Sequence, residues 1–238
     1  MTDHDLRSKL TDRLAAVRAR IAAACARAHR DPAGVTLVAV TKTVSPNVAR
    51  LLPELGVLDL GESRPQELWR KAEALAHLPI RWHLVGHLQR NKVERTMPLV
   101  HLTHSIDSLR LFREVDAQAA KLNARPRVLL QVNISSEGQK HGFEPDELVR
   151  AAPDLVRGRV EIVGLMGMAA YSDDAERARP AFAGLRQLRD RLRREWNLTG
   201  FQLENLSMGM SGDFEVAVEQ GATLVRIGTT LFAGLEGE

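Results

Sequence analysis

The chain has 238 residues, 44% hydrophobic, 26% charged and only 4% aromatic, which suits one large domain or two small ones with a substantial core. A single cysteine, Cys25, excludes a disulfide framework and any cysteine-based zinc cluster, and the formal net charge of +3 is too small to mark a nucleic-acid binder by itself. The basic residues are 27 Arg and six Lys. The densest run, Arg189, Arg191, Arg193 and Arg194, is interleaved with Leu185, Leu188 and Leu192 at helical spacing, so it reads as a solvated helix face. The N-terminus lacks a basic segment followed by an apolar one, and no stretch reaches the roughly 18 apolar residues of a membrane span. The expectation is a soluble, cytoplasmic protein with neither nucleic-acid nor membrane partners.

In chain order, Leu6, Leu10, Leu14, Val17 and Ile21 fall on one face of an opening helix that Asp31-Pro32 breaks. The first strand spans Val35 to Thr41 and ends at Lys42, and Ser45-Pro46 then opens a helix with Ser at its N-cap. A second strand, Val57 to Leu60, ends at Gly61-Glu62 and precedes a helix from about Arg64 to Ala76. The third strand is Ile80 to Val85, ending at Gly86. The fourth is Leu99 to Ser105, followed by a helix capped by Asp107 or Ser108. The fifth, Arg127 to Val132, ends at Asn133, and the sixth, Val160 to Met166, leads into a long helix from Asp174 to Glu195. Phe201 to Leu206 and Thr223 to Ile227 complete the set, ending at Ser207 and Gly228.

Eight strands alternating with eight helices form parallel sheet with right-handed crossovers, and eight units in this length point to a (β/α)8 TIM barrel with an extra N-terminal helix, one domain over residues 1–238. The alternative is a doubly wound open sheet. It would carry a glycine-rich turn after the first strand, where this chain has Thr41-Lys42-Thr43-Val44-Ser45.

Barrel chemistry sits at the C-terminal ends of the strands. Those ends are Lys42, Gly61-Glu62, His83 and Gly86, His104-Ser105, Asn133, Met166 to Met168, Ser207 to Ser211 and Arg226 to Thr229. Lys42 ends a strand buried on both faces. Its amine either projects into the mouth, where desolvation would favour attack on a carbonyl to form a Schiff base, or snorkels at the strand end. The segments Ser207–Asp213 and Arg226–Thr230 place small and hydroxyl residues before helices, after the two strands where barrels most often bind phosphate; ordinary capping by Ser211 and Thr229 is the other reading. A carbonyl-seeking lysine and a phosphate cradle facing one mouth suit a phosphorylated aldehyde, pyridoxal 5′-phosphate, with Arg226 near its pyridine nitrogen or, alternatively, paired with a carboxylate. An arginine there cannot accept the ring proton, which weakens the cofactor as an electron sink.

These residues resemble the pyridoxal phosphate homeostasis proteins, single-domain relatives of the barrel half of alanine racemase. The matching segments are Val38–Lys42, Gly61–Glu67, Trp82–Lys92, His104–Asp107, Gln131–Asn133, Lys140–Gly142, Gly164–Met168, Ser207–Asp213 and Arg226–Thr229. The resemblance implies that Lys42 is the Schiff-base lysine, that Ser207, Ser211, Gly228 and Thr229 surround the phosphate, and that Arg226 meets the ring nitrogen. It implies a protein that buffers or delivers the cofactor, with PLP-dependent apo-enzymes as possible recipients. The chain departs from the family at Ser63 and Arg64, where Asn and Tyr are usual, and Ala233 is an extra residue before Gly234.

Racemisation needs bases on both faces of the cofactor, and in the racemases the second is a tyrosine of an added β-domain. This sequence stops soon after the eighth strand and has one tyrosine, Tyr171, after the sixth. The expectation is a monomeric binder with at most weak side activity and no metal. A PLP-dependent racemase or decarboxylase, and a Schiff-base aldolase, are the rival readings. The loop Asn133–Gly142 holds two glycines, and its Lys140 is either a second amine for cofactor transfer or a solvated surface lysine.

Overall fold

Hydrophobic spacing decides where the chain's helices lie. In the computed structural model, which describes residues 1–135, 141–155, 158–195 and 203–236, the opening helix α1 runs Asp3–Arg27 and buries Leu6, Leu10, Leu14, Val17 and Ile21. Each such side chain contributes about 1.5–3 kcal/mol on leaving water. A reciprocal capping box starts α1: the Asp5 amide donates to Thr2 Oγ1 (3.2 Å) and the Thr2 amide to Asp5 Oδ2 (3.1 Å).

The strands are β1 (Thr36–Val40), β2 (Asp59–Glu62), β3 (Arg81–Leu84), β4 (Leu102–Ile106), β5 (Arg127–Val132), β6 (Glu161–Gly167), β7 (Asn205–Ser207) and β8 (Leu224–Ile227). All pair in parallel and in order, and β1 closes on β8 with Val38 opposite Arg226. This is a closed eight-stranded (β/α)8 barrel, not an open doubly wound sheet. The helices between strands are α2 (Pro46–Ala49) and α3 (Leu51–Glu54), α4 (Pro65–Ala74), α5 (Val93–Thr96), α6 (Leu109–Lys121), α7 (Pro145–Leu155), α8 (Arg179–Glu195) and α9 (Phe214–Glu219); α10 (Thr229–Phe232) follows β8. Helix α1 packs against α9 and α10, and Arg13 on it donates to the Leu231 carbonyl (2.9 Å). Among the described residues, no helix is long and apolar enough to cross a membrane.

Several boundaries differ from the sequence reading. Leu99 belongs to a 3-10 turn, Met97–Leu99, and β4 begins only at Leu102, because Pro98 favours a turn over strand pairing. β2 starts at Asp59 and takes in Gly61 and Glu62. Ala175–Ala178 is a 3-10 turn before α8, and the helix after Ser45 is broken into α2 and α3 at Arg50. Ser108, not Asp107, caps α6, whereas Ser45 sits at its N-cap position without a side-chain hydrogen bond. Phe201 lies outside the described residues.

Outside the barrel wall, outward-facing side chains such as Ala39, Leu60 and Leu84 join the helices in one large core. Inside, Val38, Leu102, Leu129, Val163, Met166 and Leu224 form a separate apolar cluster. They fill only part of the interior. Asp59, His83, His104, Ser207 and Arg226 are also buried, at 7%, 1%, 0%, 0% and 4% exposure, where a barrel of this size ordinarily carries branched apolar residues.

Candidate functional site

Lys42 lies two residues past the end of β1, and continuing the alternation of that strand, with Val38 in the inner cluster, gives it the inward-facing parity at the mouth. It is exposed, so the desolvation expected of it is missing. It lines a cleft of about 400 Å³ with Thr43, Glu62, Ser63, Arg64 and Glu67. Behind the cleft, on the outer side of the wall, Glu62 and Lys71 of α4 are fully buried and paired at 2.5 Å. Lys71 Nζ also donates to the Thr41 carbonyl (2.6 Å), and Thr41 Oγ1 donates to Glu62 Oε1 (2.6 Å). The peptide that carries Lys42 is therefore held by a buried ion pair, while the lysine itself is exposed. Glu62 Oε2 is buried and has no hydrogen-bond partner among the described residues.

The strand ends beside the cleft are knitted together. A Cβ on Gly86 would lie 2.1 Å from the Ser63 carbonyl oxygen, so only glycine lets β3 end against that turn. Ser105 Oγ then donates to the Gly86 carbonyl (2.6 Å). Further round the mouth, Asp107 Oδ2 lies 3.0 Å from His87 Nδ1 and 3.8 Å from His141 Nδ1, and the two imidazoles stack with centroids 4.7 Å apart. This clasp ties together the loops after β3, β4 and β5.

On the opposite side, Ser211 reaches across from the loop after β7. Its hydroxyl accepts from the amides of Gly228 and Thr230, both at 3.3 Å, so it caps α10 and not the helix that follows it in sequence. Thr229 is exposed at the start of α10. Gly209, at φ +92°, makes the sharp turn that feeds this loop, and its carbonyl accepts from the Arg226 amide (3.0 Å). Ser211, Gly228, Thr229 and Thr230 thus cluster where sequence reasoning placed a phosphate cradle.

Ser207 lies elsewhere. Its hydroxyl is fully buried inside the barrel, accepting from Arg226 Nη1 (2.6 Å) and meeting His104 Nδ1 at 2.8 Å. Arg226 Nη2 donates to the Gly167 carbonyl (3.2 Å). Burial lowers the Arg226 pKa to about 10, with the Asp213 carboxylate opposing the shift. Asp213 makes no hydrogen bond to Arg226. Burial raises its own pKa, and it accepts from the Met210 amide (2.6 Å).

Sequence reasoning named His83 and His104 only as strand ends and gave Asp59 no part. Their positions carried a signal: all three fall on the inward parity of their strands, where apolar residues belong. Lys140 lies outside the described residues.

Two comparisons decide the family. Residues 13–236 match the family described as "Alanine racemase, N-terminal domain". A protein of Aquifex aeolicus named "Pyridoxal phosphate homeostasis protein" is 45% identical over 222 residues, which is 93% of this chain and 96% of that one. The chain belongs to the pyridoxal phosphate homeostasis protein family. A human protein of the same name is 36% identical over 233 residues, covering 92% of this chain and 84% of its own. Among solved structures, PipY of Synechococcus elongatus with PLP bound superimposes with a TM-score of 0.83 at 32% identity, covering 94% of this chain and all of that one. An alanine racemase of Clostridium difficile, at 17% identity and TM-score 0.68 over 84% of this chain and 51% of its own, shares the barrel fold.

Proposed function

We propose that this protein binds pyridoxal 5′-phosphate at the barrel mouth, attached to Lys42 as a Schiff base, and that it buffers and delivers the cofactor without robust catalysis of its own. The carrying observation is that Lys42, the Ser211–Gly228–Thr230 cluster and Arg226 come from β1, β7 and β8 or the loops after them, three neighbouring strands of one closed barrel. The donor set fits the cofactor. The Ser211 hydroxyl, which accepts from the Gly228 and Thr230 amides and keeps its proton to donate, suits a phosphate together with exposed Thr229, an exposed primary amine suits an aldehyde, and a guanidinium suits an unprotonated pyridine nitrogen. When bound, pyridoxal phosphate supplies an electrophilic aldehyde and an electron-withdrawing ring.

The geometry divides the residues named from sequence. Ser211, Gly228 and Thr229 are assigned to the phosphate, whereas Ser207, with its hydroxyl engaged by Arg226, serves the ring side. A carrier is preferred over a racemase or decarboxylase on the state of the one tyrosine and of the two histidines inside the barrel. Tyr171 is 91% exposed and bonded to Asp173, and His83 and His104 are buried and bonded to one another.

Borohydride reduction of protein incubated with pyridoxal phosphate, followed by peptide mapping, is expected to place a pyridoxyl group on Lys42. An adduct confined to other lysines defeats the assignment. Incubation of the loaded protein with a panel of amino acids in deuterated water is expected to give no α-proton exchange above that of free cofactor. Exchange at enzymatic rates would establish the racemase reading. Restoration of activity to a PLP-dependent apo-enzyme by the loaded protein tests delivery, and sedimentation tests the expectation of a monomer.

A further inference from the structure

The polar residues inside the barrel form one continuous chain. From the mouth downward, Arg226 Nη1 meets Ser207 Oγ at 2.6 Å, and Ser207 Oγ meets His104 Nδ1 at 2.8 Å. His104 Nε2 meets His83 Nδ1 at 2.9 Å, and His83 Nε2 meets Asp59 Oδ1 at 2.9 Å. Arg81 closes the lower end, donating from Nε to Asp59 Oδ1 (2.8 Å) and from Nη2 to Asp59 Oδ2 (2.5 Å).

With both rings neutral, the carboxylate end fixes the direction of every hydrogen bond in the chain. A guanidinium can only donate, so Ser207 Oγ accepts from Arg226, and a hydroxyl that takes that bond still has its own proton to give to His104 Nδ1. His104 Nδ1 is then an acceptor and its Nε2 carries the proton, which it donates to His83 Nδ1. His83 in turn donates from Nε2 to Asp59. Starting from the other end, an ionised carboxylate can only accept, so His83 must carry its proton on Nε2, and the same sequence runs upward to Ser207. Burial opposes ionisation of Asp59, but the hydrogen bonds from His83 and Arg81 outweigh it and hold the carboxyl well below its usual range. Burial, with His83 and Arg226 adding to the effect, pushes His104 well below its ordinary value, in keeping with a single proton on that ring.

We propose that Asp59, His83 and His104 are positioning residues that hold the Ser207 hydroxyl as a directed acceptor and thereby aim the Arg226 guanidinium at the ring nitrogen of pyridoxal phosphate. This rests on the assignment of Arg226 to that nitrogen. The reason for a chain is the burial of Arg226. A guanidinium within a barrel otherwise filled by Val38, Leu102, Leu129, Val163, Met166 and Leu224 must have acceptors in fixed places. Ser207 presents a lone pair to Arg226 in one fixed direction when its proton is held elsewhere. His104 supplies that place, His83 keeps His104 in the required tautomer, and Asp59 keeps His83 in the same tautomer. None of the three touches the cofactor in this scheme; they act through Ser207.

Two measurements test it. Long-range 1H–15N correlation spectra of the wild-type protein report the imidazole tautomers directly, and both His83 and His104 are expected as the Nε2–H form. An Nδ1–H form at either position reverses the chain and overturns the proposal. In equilibrium dialysis with pyridoxal phosphate, His104→Leu is expected to weaken binding about tenfold, the effect of leaving one buried partner unpaired. His104→Gln, which keeps one acceptor and one donor, is expected to recover most of that loss and the wild-type absorbance maximum of bound cofactor. A His104→Leu protein that unfolds at a lower temperature but binds with unchanged affinity and spectrum shows a merely structural chain and overturns the proposal. Should His104→Leu fail to fold, Asp59→Asn takes its place in the same assay, with a weaker effect expected and unchanged binding counting against the idea. If wild-type protein fails to bind pyridoxal phosphate at all, the cofactor assignment and the aiming role fall together. Binding with opposite tautomers leaves the cofactor assignment standing and removes only the chain.

Discussion

The barrel holds two buried polar systems that differ in what their charges do. Outside the wall, Lys71 and Glu62 form an ion pair braced by Thr41, and among the described residues one oxygen of Glu62 has no hydrogen-bond partner. Inside the wall, Arg226 above and Asp59 with Arg81 below are joined through the Ser207 hydroxyl and the His104 and His83 rings. The outer pair anchors the backbone behind Lys42. The inner column sets the direction of a side chain. An ion pair resists removal of either partner because the charge left behind is buried. A hydrogen-bonded chain is sensitive to the order of donors and acceptors as well as to loss of a member.

The comparison can be broken at the outer pair first. Lys71→Ala leaves Glu62 charged and uncompensated in the core, and a loss of about 3–5 kcal/mol is expected in chemical denaturation. The double variant Lys71→Met with Glu62→Leu removes both charges and is expected to recover most of that loss. A single variant no less stable than wild type would show that water reaches the pair.

Asp59→Asn comes next, at about 1.5–3 kcal/mol, because hydrogen bonds from His83 and Arg81 to a carboxylate are lost. The sign of its pH dependence follows from the lowered pKa. Asp59 binds its proton less readily in the folded state, so its contribution is complete above about pH 4, the unfolded value, and is lost as pH falls through the lower folded value. The stability difference between wild type and Asp59→Asn should therefore be flat above about pH 5 and shrink below about pH 4.

Ser211→Ala removes the acceptor shared by the Gly228 and Thr230 amides, and about 1 kcal/mol of stability is expected to go with it. Binding of inorganic phosphate in competition with pyridoxal phosphate should weaken in the same variant. The smallest effect on stability belongs to Lys42→Ala. Lys42 is exposed and its anchor is the backbone of Thr41, so the unfolding midpoint should stay where it is while the borohydride-trapped adduct disappears. A large drop in stability would show that the lysine packs against the barrel mouth after all.

Much of the architecture was legible because strand burial leaves a plain record. Runs such as Val35–Thr41, Arg127–Val132 and Thr223–Ile227 are apolar on both faces, as strands between an inner cluster and an outer helix layer must be, and their alternation with helices implies a parallel barrel. Lys42, Arg226 and the hydroxyl-rich turns stood out because polar residues at the ends of such runs lack a packing reason. Errors came where one physical cue had two meanings. Leu99 and Val100 are apolar enough for a strand, but Pro98 commits Leu99 to a turn. Ser207 and Ser211 look alike in sequence, yet one faces the barrel interior and the other caps α10.

What the sequence determined by itself is local and periodic: which stretches pair as strands, which faces are apolar, and which side chains end up at the barrel mouth. The tertiary structure alone decided that Asp59, His83, His104, Ser207 and Arg226, drawn from strands up to 167 residues apart in the chain, would form one column. Closure of β1 on β8 fixes which inward positions share a height, and hydrogen bonds of 2.6–2.9 Å demand that coincidence. A pattern along one strand contains no information about the register of the strand across the barrel.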